Sequence, residues 1–138
     1  MNEPAMSVTE LQRLIGRSPY HQLFDLTVIE TDIADELKLL MGYSSSVERL
    51  PESSQYHGGT LASLGDIAGA FALGKRLGIG APTVQFLIDY LRPAIKTDLL
   101  AHAPIRKLGK RFAFVDIDIE SSTGDLIAIC RGVYACNT

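Results

Sequence analysis

The residues whose types and spacing most readily support chemistry are His57, Gly58, Gly59 and Asp66. Adjacent glycines let main chain approach a ligand closely. Where such a pair opens a helix, the first N–H groups point outward with partial positive charge. A developing oxyanion needs that environment. Further along the same stretch stands Asp66, a carboxylate able to act on water or directly on a carbonyl carbon. An amide donor and a carboxylate on one rigid element make a hydrolase arrangement. The plainer alternative for Gly58-Gly59 is a tight loop-to-helix turn. For Asp66 it is a bond to a nearby backbone N–H, or a seat at an exposed edge of the helix.

The element that must carry these groups runs from Gly58 to Gly74 (GGTLASLGDIAGAFALG), where Asp66 is the only charged residue. Leu61, Leu64, Ala68 and Phe71 follow helical spacing. Thr60 is the N-cap candidate, and Gly74, or Gly78 after Lys75-Arg76, is the stop. A helix apolar all round is normally buried all round. Its small residues (Ala62, Gly65, Ala68, Gly69, Ala70, Ala72) admit other backbone at close range, so the spacing predicts a sheet curled around the helix, with a second subunit over the remaining side. At about 100° per residue Asp66 lies about 140° from Leu61, on a second, smaller-residue face. A carboxylate there must be offset by hydrogen-bond donors or serve a chemical task.

Elements around it alternate with period two. Residues 23–31 and 35–42 read as two strands joined by a short polar turn. Residues 43–56, with five serines and Pro51, read as loop. After Pro82 come strands at 83–91, 98–107 (weakened by Pro104), 111–120 and 126–135. Their loops are too short for parallel crossovers. The expected fold class is α+β: an antiparallel sheet with one long helix inserted between its second and third strands. A short amphipathic helix is expected at 7–16, with Ser7 or Thr9 as cap and Glu10 in its first turn.

The 138 residues suit one domain, 1–138. With 13 Lys and Arg against 16 Asp and Glu, the net charge of −3 leaves no basic excess for phosphate backbones, so nucleic acid is not an expected partner. No apolar run reaches the roughly 18 residues of a membrane helix, and Met1-Asn2-Glu3-Pro4 lacks signal-peptide order. Cys130 and Cys136 would stand roughly 20 Å apart on a regular strand, too far to pair. The expectation is a reduced, cytoplasmic protein without a structural metal.

The stretch His57-Gly58-Gly59, six residues, then Asp66 resembles the active-site helix of hotdog-fold acyl-CoA thioesterases, in the phenylacetyl-CoA thioesterase-like branch of the 4-hydroxybenzoyl-CoA thioesterase group. The resemblance continues through Asp89-Tyr90-Leu91-Arg92-Pro93-Ala94, through Lys107-Leu108-Gly109-Lys110-Arg111-Phe112-Ala113-Phe114, and through Thr123-Gly124-Asp125-Leu126-Ile127-Ala128. It covers roughly residues 20–135. It implies a hotdog fold, subunits joined edge to edge as a homodimer or homotetramer, and active sites at the subunit interface. It implies hydrolysis of an acyl-CoA thioester, with coenzyme A as part of the substrate and no separate cofactor. By position, Asp66 would be nucleophile or general base and the Gly58 N–H would polarise the thioester carbonyl, with Gly59 beside it. Thr83 matches a partner-subunit hydroxyl that orients water. His57 would contact the thioester region or hold the loop. Many members carry Asn or Gln six residues before the histidine; here that position is Pro51, and Gln55 would take over its work. Arg92, Lys107, Lys110 and Arg111 are candidates for the coenzyme A phosphates, or else form solvated hairpin surface.

Two rival readings remain. Hotdog folds also host acyl-thioester dehydratases and hydratases, which need a paired acid and base; no histidine follows Asp66 in the helix. A binding module without turnover gains little from a buried carboxylate. Asp116, Asp118 and Glu120 share one strand face, which reads as water-facing rather than metal-binding.

Overall fold

The computed structural model describes residues 6–136. Helix α1 (Val8–Gly16) begins on a reciprocal cap: the Ser7 hydroxyl accepts from the Glu10 amide and the Glu10 carboxylate accepts from the Ser7 amide. Its buried face is Leu11 and Ile15, four residues apart. A short 3-10 turn (Tyr20–Leu23) follows, then β1 (Asp25–Ile29) and β2 (Glu36–Gly42). The strand expected over 23–31 is therefore shorter at both ends, because Leu23 closes the 3-10 turn.

Helix α2 (Gly58–Leu77) enters between β2 and the remaining strands, β3 (Thr83–Tyr90), β4 (Leu99–Leu108), β5 (Phe112–Ser121) and β6 (Leu126–Ala135). All six strands form one antiparallel sheet in the order β1-β2-β4-β5-β6-β3. The sheet wraps α2, which packs against β2 through β6. This is the hotdog arrangement that the resemblance implies.

Alternation decides which strand face meets the helix. On β5, Ala113, Val115, Ile117 and Ile119 are fully buried. The opposite face is polar: Asp116 is paired with both Arg106 and Arg131, and Glu120 is hydrogen-bonded with His102. Pro104 is accommodated in β4 opposite Glu36, the first residue of β2, beside a register shift between β4 and β5. At the far end of α2, buried Lys75 donates to the carbonyls of Ile33 and Glu36, which ties the helix to the β1–β2 turn; burial pulls its ammonium below the usual lysine range. Gly78, in the left-handed conformation, closes the helix.

One detail of α2 differs from expectation. The N-cap of α2 is His57, not Thr60: the His57 Nδ1 accepts from the Gly59 amide at 2.8 Å, so the helix starts three residues earlier than a threonine cap allows. Thr60 is buried in the first turn instead. The side of α2 that the sequence reading left for a second subunit is visible as a stripe. Ala62, Ser63, Asp66 and Ala70 form a half-buried stripe that the chain's own sheet leaves partly open.

Candidate active site

The entrance to α2 is fixed by main chain. The Tyr56 amide donates to Ala94 and the His57 amide to Val47, so the residues before Gly58 are pinned on both sides. At a helix start the first amides have no intrahelical partner. The Gly59 amide is taken by His57 Nδ1 and the Thr60 amide by the His57 carbonyl. The Gly58 amide donates to no acceptor among the described residues. Beside it opens a cleft of about 570 Å³ lined by Gln55, Tyr56, Gly58, Leu61, Tyr90 and Arg92, among others. Tyr90 also donates its hydroxyl to the Gly58 carbonyl at 2.8 Å, a bond that does not involve the amide.

Gln55 and Gly59 line the same cleft, and so does Arg49, which sequence reasoning passed over. Pro51 sits exposed on the preceding turn and does not line it. His57 is not in this cleft either. Its ring caps the helix and lines a separate groove with Tyr20, Leu23 and Phe24. Accepting at Nδ1 leaves the proton of the neutral ring on Nε2. His57 thus holds the loop and helix together.

The carboxylate is seated differently. Asp66 is half-buried rather than walled in by nonpolar neighbours, and hydroxyls hold it. Thr83 Oγ1 donates to Oδ1 at 2.8 Å, and the Tyr134 hydroxyl lies 3.2 Å from the same oxygen and 3.3 Å from the Asp66 carbonyl. Oδ2 has no partner among the described residues. Thr83, expected to act from a partner subunit, reaches the Asp66 of its own chain because β3 runs antiparallel to α2 and begins where Asp66 lies. Tyr134 is fully buried, and burial, followed by the Asp66 charge, pushes its phenol well above the usual tyrosine range. It therefore remains a donor. No motif announced it, since it stands 68 residues from Asp66 in the chain.

Helix geometry separates the two groups. Eight residues at about 1.5 Å each put Gly58 and Asp66 about 12 Å apart along α2. Within one chain they cannot engage one carbonyl carbon, so the single-element arrangement suggested by the motif is incomplete. The basic candidates divide likewise. Arg92 lies just beyond the end of β3 at the Gly58 cleft, whereas Lys110 and Arg111 form the exposed β4–β5 turn near the start of β3. Lys107 is exposed on the last part of β4. The structure does not bring these cations together in one chain.

Comparison with known proteins gives the family. The sequence pattern of the thioesterase superfamily matches residues 56–128, more than half of the chain and inclusive of both Gly58 and Asp66. The chain belongs to that superfamily. It is 39% identical over 77 residues to the acyl-coenzyme A thioesterase PaaI of Escherichia coli K12, a match spanning 55% of this chain and 54% of PaaI. It thus spans about half the length of that curated relative by sequence. A putative esterase of Halobacterium salinarum is 30% identical over 121 residues, covering 79% of this chain and 80% of the relative. Among solved structures, a protein of the thioesterase superfamily superposes with a TM-score of 0.87 at 30% identity, covering 94% of this chain and 97% of the other. The E. coli PaaI structure superposes at 0.79 with 25% identity, covering 94% and 95%.

Proposed function

We propose that the protein hydrolyses an acyl-CoA thioester to a free acid and coenzyme A, at sites each assembled from two copies of the chain. The observation that carries this reading is the pairing of an unpartnered amide at Gly58 with a carboxylate about 12 Å away, Asp66, whose Oδ2 is likewise unpartnered among the described residues. Each is half of a site. If two helices lie antiparallel across a two-fold axis, the Gly58 of one copy meets the Asp66 of the other, and two equivalent sites result.

Surface features support that pairing. β3 is an edge strand, and its exposed Val84 and Leu87 are 56% and 59% accessible. An apolar, unpaired edge is a template for another strand. The half-buried stripe of α2, with Ala62, Asp66 and Ala70 four residues apart, is small enough for a second helix to come close. In the paired arrangement, Lys110 and Arg111 come from the copy that supplies Asp66, and Gln55, Arg49 and Arg92 from the copy that supplies Gly58. Guanidinium groups suit bidentate phosphate contact, and the apolar wall of Tyr56, Leu61 and Leu91 suits the uncharged part of the substrate.

The steps follow from the groups. The Gly58 amide, with the positive end of α2 behind it, donates to the carbonyl oxygen as negative charge grows there. Asp66 Oδ2 either removes a proton from attacking water or attacks the carbonyl carbon to give a mixed anhydride that water then opens. The thiolate of coenzyme A leaves. Gln55 supplies the side-chain amide next to the oxyanion, in the role that Pro51 cannot fill. No cofactor or metal enters the scheme. Cytoplasmic residence is part of the proposal and fits two free cysteines. No helix among the described residues is long and apolar enough to cross a membrane.

The test is release of free thiol from a panel of acyl-CoAs, with Asp66→Asn as control. Thiol release that drops about a thousandfold in kcat in the variant, with KM nearly unchanged, is the expected result. Tight acyl-CoA binding without thiol release would make the protein a binding module, and enoyl product from 3-hydroxyacyl-CoA would make it a dehydratase.

A further inference from the structure

We infer that Tyr134 is a positioning residue for catalysis: its buried hydroxyl holds Asp66 Oδ1 so that Oδ2 faces the reacting group. The inference rests on the reading of Asp66 as the reacting acid.

The packing around Tyr134 is arranged for a ring that ends at Asp66. A Cβ on Gly69, three residues beyond Asp66 on α2, would collide with the Tyr134 hydroxyl end, and so would a Cβ on Gly132, two residues earlier on the same face of β6. Both glycines therefore leave the volume that the phenol occupies. The ring is fully buried, and a buried phenol needs an acceptor. The acceptors it has, the Asp66 carbonyl and Oδ1, both belong to Asp66. A core position requiring only volume is filled as well by phenylalanine. Here the single phenolic proton is shared between the main chain and the side chain of the same residue, which restrains rotation of the carboxylate.

Thr83 and Tyr134 divide the work. Thr83 is exposed and donates from the open side of the carboxylate at 2.8 Å, where substrate and water also come. Tyr134 donates from the closed side, out of reach of solvent. With Oδ1 held from both sides, Oδ2 is the oxygen left to react. Because the phenol stays protonated beside the negative carboxylate, the donor persists across the working pH range.

Tyr134→Phe keeps the ring and removes the donor. The expected result is a fall in kcat of about tenfold with KM within about twofold, since a positioned charge is used more in the transition state than in binding. The discriminating measurement is a double-mutant cycle with Asp66→Asn: if Tyr134 acts through Asp66, Tyr134→Phe does no further harm in the Asn background. Wild-type kcat in Tyr134→Phe, or an equal further loss in the Asn background, overturns the inference and leaves the Asp66 reading intact. Wild-type turnover by Asp66→Asn overturns both. Should Tyr134→Phe not fold, 3-fluorotyrosine at 134 serves instead. Its more acidic hydroxyl draws charge from Oδ1 and lowers kcat at least about twofold without moving KM; an unchanged kcat overturns the inference.

Discussion

At its first turn α2 presents a donor, the Gly58 amide, from which nothing in the described chain accepts, whereas two turns further on it presents an acceptor, Asp66 Oδ1, that two hydroxyls already hold. The first group is made of backbone. Its direction follows from where the helix begins, and the His57 cap, the Tyr56 and His57 main-chain bonds and the Tyr90 hydroxyl fix that start. The second group is a side chain with rotational freedom, and it takes residues from β3 and β6 to hold it. A backbone donor is aimed by the helix start and the contacts that fix it, whereas a side-chain acid is aimed only by the side chains that hold it. The two groups also lie about 12 Å apart along one helix, which is the ground for the proposal that each site draws on two copies.

Gly58→Pro strikes the first region hardest. Proline is well tolerated at the first position of a helix and requires an extended residue before it. His57 already has φ −65° and ψ 136°. The variant therefore removes the amide donor and keeps the helix start, and kcat is expected to fall about 10²–10³-fold with little change in melting temperature. A wild-type kcat measured in the thiol-release assay would remove Gly58 from the chemistry.

The next contrast sets Gly58→Ala against Gly69→Ala. A Cβ at Gly58 meets the Tyr90 ring at 3.5 Å, an ordinary contact, and leaves the amide in place, so turnover and stability should barely change. A Cβ at Gly69 drives Tyr134 off its seat. Overpacking of this kind costs about 1–3 kcal/mol, and kcat should fall with it as Asp66 loses a donor. Calorimetry and initial rates on the two variants check this; equal behaviour would mean that the two glycines serve the same purpose.

The smallest effect is on alkaline stability. Burial raises the Cys130 thiol from 9.0 to about 12. Above pH 9 the unfolded chain gives up this proton and the folded chain keeps it, so stability present below pH 9 is lost as pH rises toward 12. The raised Tyr134 and Tyr56 phenols act in the same direction above pH 10. Melting temperature should decline over this range, and Cys130→Ala should make the decline shallower near its lower end. A melting curve flat to pH 11 would contradict the burial of the layer behind Asp66.

Much of the frame was legible in residue patterns. Alternation on β5 predicted which residues reach the core, and the run from Gly58 onward predicted a central helix because it holds one charge. The first cap was narrowed to Ser7 or Thr9, and the structure shows Ser7 with Glu10 bonding back to it. His57 as the second cap was missed, since a histidine nitrogen accepting from the amide two residues on has no marked preference in sequence, whereas a nearby threonine has one. The 12 Å gap is implicit in the eight-residue spacing once Gly58 opens the helix. Tyr134 was not legible: its contact with Asp66 depends on the register of β6 against β5 and on two vacant Cβ positions, one of them on another element. Thr83 was noticed through the family resemblance, but its contact within its own chain needed the antiparallel course of β3 beside α2.

The central claim, that each site takes its amide from one copy and its acid from another, is tested most directly by mixing two inactive variants. Gly58→Pro and Asp66→Asn are each purified, combined, unfolded together and refolded. With sites built across copies, a mixed dimer contains one intact site and one doubly damaged site, so random pairing restores about a quarter of wild-type thiol release per chain. If each chain carried its own complete site, no pairing would restore one, and activity no higher than that of the separate variants would contradict the account.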